Sequence, residues 1–91
     1  MLIVVSYDIP DDRRRTRLAH TLKDFGQRVQ YSVFECHLEP DELDRLRQRV
    51  LKLMDVAKDN VRFYRLCAGC TPQVEAHGVG KPPEEPKVYI L

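Results

Sequence analysis

Asp8 is followed within ten residues by Arg13, Arg14, Arg15 and Arg17. A carboxylate beside several guanidiniums is the basic equipment of a metal-assisted phosphodiester site, where the acid holds a hard cation and the arginines hold phosphate oxygens. Each group also has a plainer role. Asp8 could be a turn aspartate that caps the next helix or bonds local amides, and the arginines could be a solvated helix start. Acids at Asp11 and Asp12 suit the positive end of a helix dipole, but Arg13, Arg14 and Arg15 run against it. Cations placed there call for an anion.

Other chemistry-bearing residues are fewer. Cys67 and Cys70 have the spacing of a zinc half-site or a redox pair. His37 and His77 are the histidines such a site would recruit, but no second pair follows at ligand spacing, and the segment reads as a turn with ordinary thiols. Gly78-Val79-Gly80 lacks the strand-to-helix context of a phosphate loop. No Ser-His-Asp order or nucleotide fingerprint occurs. One acid is few for a metal nuclease. Mg²⁺ often takes only one or two protein carboxylates, so two copies of Asp8 facing each other across a twofold axis would complete a site.

The elements that must position these groups follow from pattern. Leu2-Ile3-Val4-Val5 is a buried strand that delivers Asp8 at its carboxyl end, where ligands of open α/β sheets tend to bind. The helix that opens near Asp11 or Asp12 turns Leu18, Leu22 and Phe25 inward. At 100° per residue, Arg14 and Arg15 then lie near that stripe and lean over the strand end, while Arg13 and Arg17 face outward. Gly26 is expected to end this helix as a left-handed cap. Residues 28–38 are rich in β-formers and read as two short strands meeting near Tyr31 and Ser32, with one bent strand as the alternative. Pro40 opens a second helix whose inward stripe is Leu43, Leu46, Val50, Leu53, Met54 and Ala57, and a further strand spans Asn60 to Leu66.

The resulting order, βαββαβ, predicts an α+β, ferredoxin-like plan: two helices on one face of a four-stranded sheet, the other face uncovered. Residues 1–66 make this core. Residues 67–91 form an extension with a stiff Pro-rich linker (81–86) and a last strand (87–91), which the linker would carry onto the edge of a partner's sheet.

Ninety-one residues bury only roughly 60–65% of their unfolded surface as one domain, so a partner subunit would add welcome burial. A net charge of +1 does not announce a nucleic-acid binder, and any such role rests on local clustering. No apolar run approaches the ~20 residues of a membrane span. The first strand is too soon interrupted by Asp8 for a signal peptide, and the odd cysteine count argues against a disulfide framework. The expectation is a cytoplasmic protein.

Tyr7-Asp8-Ile9 with its acid-and-arginine helix start, then Gly26, Arg28-Val29-Gln30-Tyr31-Ser32-Val33-Phe34-Glu35, and Val61-Arg62-Phe63-Tyr64-Arg65-Leu66 with Cys67 and Cys70 behind, resemble the family of CRISPR-associated protein two. The match covers nearly the whole chain. It implies a ferredoxin-like homodimer in which the two copies of Asp8 face one another and hold a divalent ion, usually magnesium. It also implies a metal-dependent endonuclease acting on single-stranded RNA or double-stranded DNA, with Asp8 and Tyr7 catalytic. Tyr7, Arg15, Arg17, Arg28, Ser32 and Phe34 fall on motif positions tied to that site or its nucleic-acid surface. The family serves antiviral defence through spacer acquisition, where the dimer bridges integrase dimers and lies along incoming DNA as a scaffold. In that second reading Arg13, Arg14, Arg15, Arg17 and Arg28 neutralise backbone phosphates and Asp8 is structural.

Overall fold

The computed structural model describes residues 1–78. The chain opens with strand β1 (Leu2–Asp8) and helix α1 (Asp12–Lys23). The hairpin β2 (Gln27–Gln30) and β3 (Val33–His37) leads to helix α2 (Pro40–Leu53), strand β4 (Asn60–Leu66) and a 3-10 turn at Thr71–Gln73. The sheet order is β2-β3-β1-β4, and every neighbouring pair is antiparallel. This is the expected α+β, ferredoxin-like arrangement. Residues 28–38 are two strands, not one bent strand. The linker (81–86) and last strand (87–91) lie outside the described residues.

β1 occupies the middle because its side chains suit it. Ile3, Val5 and Tyr7 alternate onto one face and are buried, whereas Val4, Ser6 and Asp8 alternate onto the other. The buried face meets Phe34 and Cys36 of β3, Leu18, Ala19 and Leu22 of α1, and Leu43, Leu46 and Val50 of α2 in one cluster. Both helices therefore cover the same sheet face. Leu53 and Met54 pack at the margin of this cluster, but α2 ends at Leu53, and Ala57, expected on its stripe, is exposed in the following turn. No helix among the described residues is long and apolar enough to cross a membrane.

Helix ends explain the connections. Asp11 caps α1 by accepting a hydrogen bond from the Arg14 amide at 2.9 Å, and that amide holds the Asp11 carboxyl below its usual range. Pro40 opens α2, with Glu42 accepting from the Glu39 amide at 2.9 Å. Gly26 differs from expectation: among the described residues only Gly78 has positive φ. Gly26 is required for close approach, since a Cβ there would sit 2.3 Å from the Glu35 carbonyl oxygen and 2.8 Å from Cys36 Cα. A side chain at this position would push the end of α1 away from β3.

Candidate functional site

Asp8 is the last residue of β1, exposed on the sheet face without helices. Its cross-strand partner is Asn60, and Ser6 pairs with Arg62. Ser6, Asp8, Asn60, Arg62 and Tyr64 line a shallow hollow of about 330 Å³. Arg62 is a diagonal neighbour of Asp8 on this face and donates from Nη1 to the Tyr64 hydroxyl at 3.4 Å, a contact that favours its charged form. The Asp8 carboxylate forms no ion pair among the described residues. The alternative role in helix capping belongs to Asp11, not Asp8.

The arginine run divides. Arg14 is taken by Asp59, the residue before Asn60, donating from Nε at 2.8 Å and from Nη2 at 2.9 Å. The Asp59 side chain is 0% exposed, and it also accepts from the Asp55 amide at 2.8 Å. The guanidinium, helped by that amide, holds the Asp59 carboxyl below its usual range. Arg14 has thus found its anion inside the chain, and the expectation that it leans over Asp8 as a phosphate ligand is corrected. Arg15 does reach the strand end, donating from Nη1 to the Ile9 carbonyl at 2.9 Å while pairing with Asp12. Arg13 and Arg17 are exposed, without a salt bridge among the described residues.

Two further expectations are corrected by burial and strand parity. Tyr7 borders both hollows, but its ring faces the helices, 4% exposed, and its hydroxyl donates to the Tyr31 carbonyl at 3.3 Å, so the hydroxyl is directed away from the Asp8 carboxylate. Phe34 is 0% exposed, so its ring is closed off from solvent. It carries Arg28 instead, whose guanidinium lies 5.4 Å above the ring centroid. Arg28 and Ser32 border a second hollow of about 370 Å³ with Arg15, His20, Lys23 and Tyr31, and no acid lines it.

Sequence reasoning missed Asn60, Arg62 and Tyr64, although their alternation with Val61 and Phe63 is a period-two signal. It also missed His20 and Lys23. Arg15, Ala19 and Lys23 recur every fourth residue, a spacing that sets them along one side of α1.

The donor set suits a hard cation only in part. Asp8, Ser6 and Asn60 offer oxygens of the right chemistry, but no group of three or more His, Cys, Asp or Glu among the described residues could hold a metal ion. One carboxylate is the low end of what magnesium takes, and a second copy of Asp8, waters or substrate oxygens would fill the rest of its shell.

Residues 1–74 match the family model for CRISPR associated protein Cas2. The chain is 48% identical over 90 residues to the CRISPR-associated endonuclease Cas2 2 of Thermus thermophilus, spanning 99% of this chain and 96% of that protein. It is 46% identical to the CRISPR-associated endoribonuclease Cas2 1 of Chloroflexus aurantiacus, over the full length of both. Among solved structures it resembles a chain of a partial Cas6-RT-Cas1--Cas2 complex with a TM-score of 0.73 and 27% identity, covering 92% of this chain and 97% of that one.

Proposed function

The chain belongs to the CRISPR-associated Cas2 family, and from that premise we propose that it acts in CRISPR adaptation as a homodimeric, metal-dependent endonuclease cleaving phosphodiesters of single-stranded RNA or double-stranded DNA. The observation that carries this reading is Asp8: an exposed carboxylate at the end of the central strand, without an ion-pair partner among the described residues. A charge held on a rigid element and left unneutralised is kept for something that arrives from outside.

In the dimer, the Asp8 carboxylates of the two copies would hold Mg²⁺ or a similar divalent cation, with Ser6 and Asn60 oxygens beside them. When bound, such an ion supplies Lewis-acid polarisation of phosphate and a more acidic water. The chain's own residues bind and orient. Arg62 places a positive charge diagonal to Asp8, where a phosphate oxygen would lie. Arg13, Arg15, Arg17 and Arg28 hold the flanking backbone, and Tyr7, buried and bonded to the Tyr31 carbonyl, positions the strand end without touching substrate.

Mg²⁺-dependent cleavage of RNA and duplex DNA by wild type and Asp8→Asn tests the reading. The substitution keeps shape and removes two charges from the dimer, so cleavage and ion binding are expected to disappear while the fold and nucleic-acid affinity persist. Cleavage by Asp8→Asn at the wild-type rate removes Asp8 from the chemistry.

A second reading is a non-catalytic dimeric scaffold that joins an integrase subunit to incoming DNA in the cytoplasm. The single carboxylate at the hollow and the acid-free cationic hollow on the other sheet face favour it. Under this reading Asp8→Asn supports spacer acquisition undiminished, and charge reversal at Lys23 abolishes it.

A further inference from the structure

We propose that Cys67 and Cys70 form a reversible intramolecular disulfide clip at the end of β4, made and broken by exchange with low-molecular-weight disulfides and thiols. The two sulfurs are 3.0 Å apart, and both residues are exposed. A turn holds them together: the Cys67 carbonyl accepts from the Cys70 amide at 2.9 Å, the Thr71 amide at 3.0 Å and the Thr71 hydroxyl at 3.1 Å. Bond formation needs the sulfurs to close to about 2.05 Å, a movement of about 1 Å that side-chain rotation in an exposed turn accommodates.

The thiols are not equivalent. The neighbouring Cys70 thiol, helped by the amides of Cys70 and Gly69, lowers the pKa of Cys67, and the same contact raises that of Cys70. Cys67 is the attacking group and Cys70 the resolving one. The third cysteine is a built-in contrast: Cys36 is fully buried in the core, and burial pushes its thiol up to about 12. A zinc site is the weaker reading, because it takes four ligands and no group of three candidate donors exists among the described residues.

The exchange balances. The Cys67 thiolate attacks one sulfur of the small disulfide, releasing one small thiolate and leaving a mixed disulfide. Cys70, its proton lost to solvent, attacks Cys67 Sγ and expels the second small thiolate. The two protein thiols are oxidised, the small disulfide is reduced to two thiols, and the released thiolates take up the two protons.

The test equilibrates the full chain in graded ratios of reduced to oxidised glutathione, followed by acid quenching, alkylation in denaturant and intact-mass measurement. Expected is a single transition from three alkylated thiols to one, within a single chain, lighter by about 2 mass units before alkylation and reversed by dithiothreitol. Peptide mapping then places the remaining label on Cys36. Cys70→Ser should trap one glutathione on Cys67, and in the folded protein Cys67 should alkylate faster than Cys70 at neutral pH. Circular dichroism checks that the variants fold. Three alkylated thiols at every ratio, a bond between chains, loss of Cys36, or thiols protected only by added Zn²⁺ would each overturn the proposal.

Discussion

Arg14 and Arg17 lie three residues apart on one helix, yet their surroundings assign them different work. Arg14 donates two hydrogen bonds to a shielded Asp59 that also receives the Asp55 amide, so it ties the start of α1 to the turn between α2 and β4. Arg17 stands in solvent. Arg14→Ala and Asp59→Asn are therefore expected to lower the thermal midpoint, whereas Arg17→Ala leaves it unchanged and weakens nucleic-acid binding. The binding loss appears as a salt slope shallower by about 0.9 per phosphate contact removed. Thermal melts and salt-titrated affinities of the three variants check both halves. The pH dependence has a definite sign. The folded Asp59 carboxyl titrates below its unfolded value, so its contribution is fully present above the unfolded carboxylate pKa and is lost as pH falls through the folded one. Asp59→Asn should flatten the acid limb of a stability–pH curve, and an unchanged limb would remove this ion pair from the account.

At the level of elements, the junction of α1 with the hairpin rests on the absence of a side chain at Gly26. The Cβ of Gly26→Ala would meet backbone of β3, which belongs to a paired strand and cannot move aside like a flexible side chain. A cost of more than about 1 kcal/mol is expected in a denaturation experiment. Gly69→Ala is the control, since its Cβ would find only an ordinary contact at 3.9 Å from Cys67 Sγ. Phe34 makes a related point about β3. Phe34→Ala should cost about 3–5 kcal/mol as a core truncation, and it would also remove the platform under Arg28. Weakened nucleic-acid binding in that variant would be indirect, and Arg28→Ala, which keeps the core, is the variant that measures the surface itself.

For the molecule as a whole, the sheet separates the two hollows. Asp8 and Arg62 lie on the open face, while Arg28, Lys23 and His20 line the hollow on the helix side. Lys23→Glu is expected to weaken nucleic-acid affinity at low salt without altering Mg²⁺ binding, and Asp8→Asn to do the reverse. Parallel changes in both readouts for either variant would mean that the faces act as one site. Assembly has its own test. β4 pairs only with β1 among the described strands, so its outer edge is free there for another strand. A chain ending before Lys81 is expected to sediment as a weaker dimer, and unchanged dimerisation would exclude exchange of the terminal segment.

Much of this protein is written locally. The alternation of Leu2 to Asp8, the acids that open both helices, the stripes of Leu18 and Leu22 and of Leu43, Leu46 and Val50, and the β-formers on either side of Tyr31-Ser32 carry the element order. Each depends on neighbours within a few residues, where strand and helix periods are regular enough to read. That Asp8 stands at a strand end was legible for the same reason. Its surroundings were not. Asn60, Arg62 and Tyr64 meet it only because β4 pairs with β1 across more than fifty residues of chain. Arg14 was misread because its anion, Asp59, lies 45 residues away, and helical azimuth does not say which of two nearby partners a long side chain will take. Phe34 and Tyr7 sit inside motif runs, where position in sequence marks them as part of the site. Strand parity and burial, set by the packing of both helices on one face, put their rings on the helix side of the sheet. Gly26 shows the limit most simply: sequence marks a glycine after a helix, but only the approach of β3 to within 2.3 Å of its missing Cβ decides why no other residue will do.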